Sequence, residues 1–316
     1  MKLENQPSMH EKRNQINQSN RMLVFSRKLN KVAISTNSYL KKIFSKQKKK
    51  SYLLKPMKYG IFSGGKRFRS AIVVNTGKIY GIDYKTLISI GSAIECIHSY
   101  SLIHDDLPSM DNDDYRRGKL STHKKFNEAN AILAGDALHD FAFEILSDPS
   151  TSLSPNIRIR LVNNLAKLIG NEGLASGQSL DLLYENKKSS LKKIIEMYKL
   201  KTGALFEFSF SSPFILTNSS EKVILFYKNY GSLFGLIFQI VDDIIDDSKS
   251  FKKIGKTPGK DKKQGKSTLL SLIGKKRVKD FCLNEINDFI NNNNNYFKKN
   301  KILEELLKFN LIRIGL

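Results

Sequence analysis

The chain has 316 residues, 40% of them hydrophobic, which is ample for a core but leaves open whether that core forms one large domain or two small ones. Its formal net charge of +23 raises anionic partners, nucleic acid and membrane surfaces among them, yet the excess is mostly lysine scattered with asparagine along the whole chain; this reads as composition bias and dilutes the partner signal. Cys96 and Cys282 lie far apart in apolar helical patterns, so no disulfide framework is implied. No apolar run approaches the roughly 20 residues of a membrane span, and the N-terminus lacks a secretory apolar core, so a cytoplasmic protein is expected.

Residues 1–20 are polar without a sustained apolar period, which predicts a mobile tail; Glu4 and Glu11 argue against a transit peptide. Residues 21–316 read as one domain, with a lysine-heavy helical pattern first and a solvated loop at residues 46–50. Residues 60–70, GIFSGGKRFRS, place two glycines at a tight turn and then Lys66, Arg67 and Arg69 at the start of a helical run. A helix N-terminus already favours anions, and guanidinium forks beside an ammonium there suit a diphosphate. A plain basic helix cap is the competing reading.

The densest stretch follows at residues 95–118. Leu87, Ile90, Ile94 and Ile97 recur at three- and four-residue steps and predict a core helix. His98, Ser101 and Asp105 stack on an adjoining face. Pro108 ends the helix, and Asp111, Asp113 and Asp114 run directly into Arg116 and Arg117. Such an acidic turn is common in solvent, but a second cluster sits on a helix apolar on nearly every side, FQIVDDIIDD, with Asp242 and Asp246 one turn apart and Asp243 between them. Buried carboxylates that close repel by up to about 4 kcal/mol per pair at an effective dielectric near 20, so a cation must offset them. Oxygen ligands without Cys or His point to a hard ion, and Mg²⁺ shared with phosphate oxygens fits best.

The other segments add helices. Ala134, Leu138, Phe141 and Ile145 form one face, and Ile157, Leu161, Leu165 and Leu168 another. Ile195, Tyr198, Thr202 and Leu205 continue a helix in which Gly203 permits a kink. Residues 251–266 are a Gly- and Lys-rich loop, and residues 268–316 alternate helical faces around an asparagine run at 291–295. No convincing strand pattern, repeat or second domain is visible.

Asp105-Asp106-x-x-x-x-Asp111 and Asp242-Asp243-x-x-Asp246, with Gly64-Gly65-Lys66-Arg67-Phe68-Arg69 upstream, resemble the trans-isoprenyl diphosphate synthases, the bacterial farnesyl diphosphate synthases most closely. The likeness extends over residues 59–268 through EANAILAGDAL, GQSLDL, KTGALF and GKST. It implies an all-α, single-domain bundle of about ten or more helices around a central active-site cavity, the isoprenoid synthase fold, usually as a homodimer. It implies a prenyltransferase that joins isopentenyl diphosphate to dimethylallyl or geranyl diphosphate and makes farnesyl diphosphate; geranylgeranyl or geranyl diphosphate synthesis is the alternative. By the same resemblance Lys66, Arg69, His98 and Arg117 bind isopentenyl diphosphate, while Arg116, Lys201, Thr202, Gln239, Lys256 and Lys266 bind the allylic diphosphate. Lys201, Thr202 and Gln239 also face the allylic cation. About three Mg²⁺ would sit on Asp105, Asp111 and Asp242, with Asp106, Asp243 and Asp246 in support, and Gln178 and Asp181 would point into the cavity. One departure is Ser70, where the family usually has proline, a residue that would stiffen the first helical turn.

Chain length should be set below Asp105. A helix falls about 6 Å per four residues, so small Ser101 lies one turn down, and large Tyr100 beside it is positioned to close the channel. An aromatic five residues before the first aspartate and the Pro108-Ser109 pair are similar to bacterial farnesyl synthases. A class I terpene cyclase usually has one aspartate cluster and no second diphosphate site; a nucleic-acid-binding helical protein would have no buried acidic clusters. A regulatory subunit that has lost catalysis is disfavoured, since no expected ligand position is missing.

Overall fold

The computed structural model describes residues 9–47, 51–248, 266–312 and 314. Helix α1 spans Met9–Lys46, so from Met9 onward the expected polar tail is helix. Its residues are polar but include Met, Glu, Lys, Arg and Gln, all inexpensive in a helix; polarity argued against burial and not against helicity. Short α2 (Leu54–Ile61) leads through Gly64 and Gly65, at φ 113 and 115, into α3 (Phe68–Ile79). Those backbone angles lie where a side chain is strained, which is why glycine occupies both.

Helix α4 (Tyr84–Asp105) is capped by Asp83, whose carboxylate accepts the Thr86 N–H at 2.9 Å. Leu87, Ile90, Ile94 and Ile97 are all fully buried, as their spacing predicts, at about 1.5–3 kcal/mol of stabilisation each. A two-residue hairpin follows, β1 (Tyr115–Arg116) antiparallel to β2 (Lys119–Leu120), where no strand was expected. Then come α5 (Thr122–Phe126), α6 (Glu128–Ser147), α7 (Pro155–Ile169), α8 (Leu174–Leu183) and α9 (Leu191–Tyr198). The expected kink is a π-helical turn, Lys199–Gly203, running into α10 (Ala204–Leu216). After α11 (Glu221–Ser248), the chain closes with α12 (Leu269–Asn292), α13 (Asn294–Lys299) and α14 (Lys301–Ile312).

Helix α4 packs between α3 and α6, and α10 lies along α11. The seam is aromatic: Phe206 stands 5.1 Å from both Phe234 and Phe238, and Phe68 of α3 reaches Phe238 at 5.7 Å. Helix α4 and residues Glu221–Asp247 of α11 are long and apolar enough to cross a membrane by composition, but 72% and 61% of their apolar windows are buried in the protein's own core. Both cysteines are buried thiols.

Candidate active site

A cavity of about 630 Å³ is lined by Asp105 and Asp111, from the end of α4 and the loop beyond it, and by Asp242, Asp243 and Asp246 of α11. The two acidic motifs, more than a hundred residues apart in sequence, therefore face one space. His98, Ser101 and Asp105 all line it, so the column predicted from helical spacing is the wall that α4 contributes.

The basic residues gather at the start of α3. Arg117 and Gly118 are the central residues of the β1–β2 hairpin, with φ 55 and 75, a pair of positive values that defines a type I′ turn. This turn aims the Arg117 guanidinium back at Gly64, whose carbonyl accepts from it. Lys66 and Arg69 line the same cavity. The Arg69 guanidinium lies 4.7 Å above the Phe206 ring, and its Nε is buried with no hydrogen-bond partner among the described residues. Burial pushes Arg69 down to about 10, with Glu95 and Asp242 partly opposing. Burial, then Arg69 and Arg117, hold His98 well below the ordinary imidazole range, so it is neutral at pH 7. Lys66, Arg69 and Arg117 beside a neutral imidazole, their charge only partly offset by Glu95 and Asp242, make a cradle that an anion would complete.

Arg67 behaves differently from its neighbours. Although it borders the cavity, its guanidinium turns into the junction of α1, α2 and α4, donating to Asn37 Oδ1 at 2.9 Å and to the Ile61 carbonyl and lying 3.6 Å from Glu95. It belongs to the scaffold of the cradle.

Lysines stand against the acidic side. Lys266 Nζ bridges Asp111 at 2.9 Å and Asp181 at 3.0 Å, and Lys201 Nζ donates to the same Asp181 oxygen at 2.6 Å. Burial alone would raise Asp111 and Asp181, but Lys266 and Lys201 outweigh it and hold both carboxyls below the usual range. For Asp105 burial wins, and its carboxyl is raised. Asp106 is buried and salt-bridged to Arg116, whose guanidinium also reaches Asp113 at 3.4 Å. Burial lifts Asp106 to about 6 and Arg116 limits the rise, so the pair is ionised at neutral pH.

The π turn delivers the next layer. Thr202 Oγ1 donates to Gln239 Oε1 at 2.7 Å, Gln239 Nε2 donates to Asp243 Oδ1 at 2.8 Å, and the Tyr198 hydroxyl donates to the other Asp243 oxygen. The turn fits only because α8 approaches closely: a Cβ on Gly177 would lie 2.2 Å from the Lys201 nitrogen. Local π turns of this kind recur at functional sites.

Several expectations need correction. Asp106 does not line the cavity, because its carboxylate is committed to Arg116. Tyr100 is also absent from the wall: its ring sits edge-on to His104 and His139 at 5.0 and 5.2 Å, towards α6, since one residue turns it about 100° away from Ser101. Asp181 lines the cavity but Gln178 does not; it is buried with neither amide atom partnered among the described residues. Lys256 lies outside the described residues. Glu95, Tyr198, Leu29 and Phe309 line the cavity without having been singled out; the one available signal was Tyr198, whose hydroxyl in an apolar helical stripe requires a partner.

No three acidic, His or Cys side chains among the described residues converge as a preformed metal cage. The donors are nevertheless all carboxylate oxygens around one cavity, a set that suits Mg²⁺ completed by ligand oxygens.

The sequence family described as polyprenyl synthetase matches residues 50–307. Farnesyl diphosphate synthase of Buchnera aphidicola is 46% identical over 180 residues, 56% of this chain and 63% of that enzyme. The farnesyl diphosphate synthase of Bacillus subtilis is 43% identical over 237 residues, covering 74% of this chain and 80% of that one. Among solved structures, a geranyltransferase from Legionella pneumophila superposes with a TM-score of 0.78 at 31% identity, over 95% of this chain and 99% of that chain.

Proposed function

The chain belongs to the polyprenyl synthetase family, and on that premise we propose that it condenses isopentenyl diphosphate head-to-tail with dimethylallyl or geranyl diphosphate to give farnesyl diphosphate. The observation that carries this reading is the single cavity with two carboxylate clusters and a separate basic cradle, which is what two diphosphates with different fates require.

Lys66, Arg69, Arg117 and neutral His98 bind the diphosphate of isopentenyl diphosphate, Arg through forked contacts and His98 through one N–H. Lys201, Lys266, Lys256 and Arg116 receive the allylic diphosphate, and the first two exchange Asp181 and Asp111 for phosphate oxygens as it arrives. Prenyltransferases of this family use Mg²⁺; about three ions, held by Asp105, Asp111 and Asp242 with Asp246 in support, would neutralise the departing diphosphate. Asp243 and Asp106 serve from behind, the first fixed by Tyr198 and Gln239, the second by Arg116. Because Gln239 both accepts from Thr202 and donates to Asp243, its amide orientation is fixed, and its carbonyl oxygen with the Thr202 hydroxyl and the Lys201 carbonyl supplies electron density beside the allylic cation. The double bond of isopentenyl diphosphate attacks that cation, and the released diphosphate takes the proton then lost, so the chain needs no strong base.

A cytoplasmic homodimer is part of the same proposal; Ile132 and Leu133, 44% and 53% exposed on α6, offer an apolar face for a second copy. Purified protein given isopentenyl diphosphate, geranyl diphosphate and Mg²⁺ should yield farnesyl diphosphate by chromatography. Absence of any condensation product, or full turnover in excess chelator, would refute the reading.

A further inference from the structure

The first turn of α3 carries Arg69 into the cavity, but that turn is held from outside the site, through Ser70. The Ser70 N–H donates to Glu95 Oε1 of α4 at 3.1 Å, and the Ser70 hydroxyl lies 2.7 Å from Thr36 Oγ1 of α1. Thr36 spends its one hydroxyl proton on the Val32 carbonyl at 2.9 Å, so Ser70 is the donor between the two hydroxyls. Ser70 therefore donates twice, once to each neighbouring helix. As the third residue of α3 its N–H has no acceptor within the helix, and Glu95 caps it with a negative charge at the helix N-terminus. The other Glu95 oxygen faces Arg67 at 3.6 Å, tying the preceding turn to the same carboxylate. There is no slack around this contact: a Cβ on Gly91 of α4 would lie 2.3 Å from Ser70 Oγ.

We propose that Ser70 is a positioning residue for isopentenyl diphosphate, setting the rotation of the first turn of α3 and so the placement of Arg69 against Arg117 and His98. A side-chain tip about 6 Å from the helix axis moves by about 1 Å for every ten degrees of rotation, enough to spoil a forked contact. The two donated bonds do in this chain, by tertiary contact, what a rigid ring at this position would do locally. Among the described residues the Ser70 N–H and hydroxyl bond to Glu95 and Thr36 and to neither the acidic clusters nor the lysines, so its effect falls on one substrate. The inference rests on the assignment of Lys66, Arg69, His98 and Arg117 to isopentenyl diphosphate.

The test compares Ser70→Ala, which removes the hydroxyl and keeps the N–H, with Thr36→Val, which removes the acceptor in an isosteric side chain, and with the double variant. Each single change should raise KM for isopentenyl diphosphate about fivefold, the effect of losing one buried hydrogen bond, with kcat and KM for geranyl diphosphate within about twofold. The double variant should be no worse than either single one, because both break the same bond. An unchanged KM, an equal rise for both substrates, or multiplicative effects in the double variant would each overturn the proposal. Thr36→Val carries the test if Ser70→Ala lowers the thermal midpoint too far for assay. Arg69→Ala run alongside separates the two levels: if it discriminates between the substrates and Ser70→Ala does not, only the positioning role is lost, whereas if neither discriminates, the binding assignment falls with it.

Discussion

Arg69→Ala tests the basic cradle most directly. The guanidinium is held over Phe206 with its Nε unpartnered among the described residues, and burial lowers it to about 10. At about 1.4 kcal/mol per tenfold in proton affinity, that shift corresponds to roughly 3 kcal/mol by which the empty site disfavours the charge. A bound diphosphate removes this penalty and gains a charge-assisted pair, so deleting the side chain forfeits on the order of 3 kcal/mol of binding, about a hundredfold. Steady-state kinetics with each substrate varied in turn should show KM for isopentenyl diphosphate rising by about that factor, with KM for geranyl diphosphate changing several-fold at most. Because a buried cation is relieved, the thermal midpoint of the ligand-free variant should not fall. Equal increases in both KM values would show that the two diphosphates do not occupy separable sites.

Asp105→Ala or Asp242→Ala should lower kcat by about two to three orders of magnitude with an unchanged circular dichroism spectrum, since each removes a stabiliser of developing charge; wild-type turnover that survives excess chelator would contradict it. Although Tyr100 lies behind the cavity wall, against His139 of α6, Tyr100→Ala removes the bulk behind small Ser101 and should deepen the cavity and lengthen the products; an active variant with an unaltered product profile would remove Tyr100 from chain-length control. Gly177→Ala pushes a Cβ to 2.2 Å from the Lys201 backbone, so it should cost about 1–3 kcal/mol and reduce kcat more than it raises either KM; wild-type melting and turnover would mean that α8 yields freely. Burial raises Glu207 from an ordinary 4.5 to about 6, with Lys228 partly opposing. The fold thus favours the protonated acid, so a penalty absent below pH 4.5 grows as pH rises and is complete above about 6. Glu207→Gln should stabilise the protein by on the order of 2 kcal/mol at pH 7.5 and by nothing at pH 4, measured as denaturant midpoints; a pH-independent difference would reject this account.

What the sequence determined is local or one-dimensional. The stripe from Leu87 to Ile97, the column of His98, Ser101 and Asp105 and the irregularity at Gly203 follow from a 3.6-residue period and the chemistry of single residues, and the structure has each of them. That the acidic cluster on α11 needs compensating positive charge was legible too, because charge in an apolar helix needs compensation wherever it lies. The tertiary structure alone decided which partner each charge found. Asp105 and Asp106 are adjacent, yet one opens to the cavity and the other is locked to Arg116; Lys66, Arg67 and Arg69 lie within four residues, yet only Arg67 turns inward to Glu95. Helical spacing gives the angle of a side chain relative to its own neighbours and says nothing of which helix stands opposite. Tyr100 lies 100° from Ser101 in any helix, but whether that direction is cavity or α6 depends on packing. Ser70 read alone was a missing proline; only with Glu95 and Thr36 brought within hydrogen-bonding distance does it become a tether, because contacts between helices are set by the assembled core and not by any one segment's pattern.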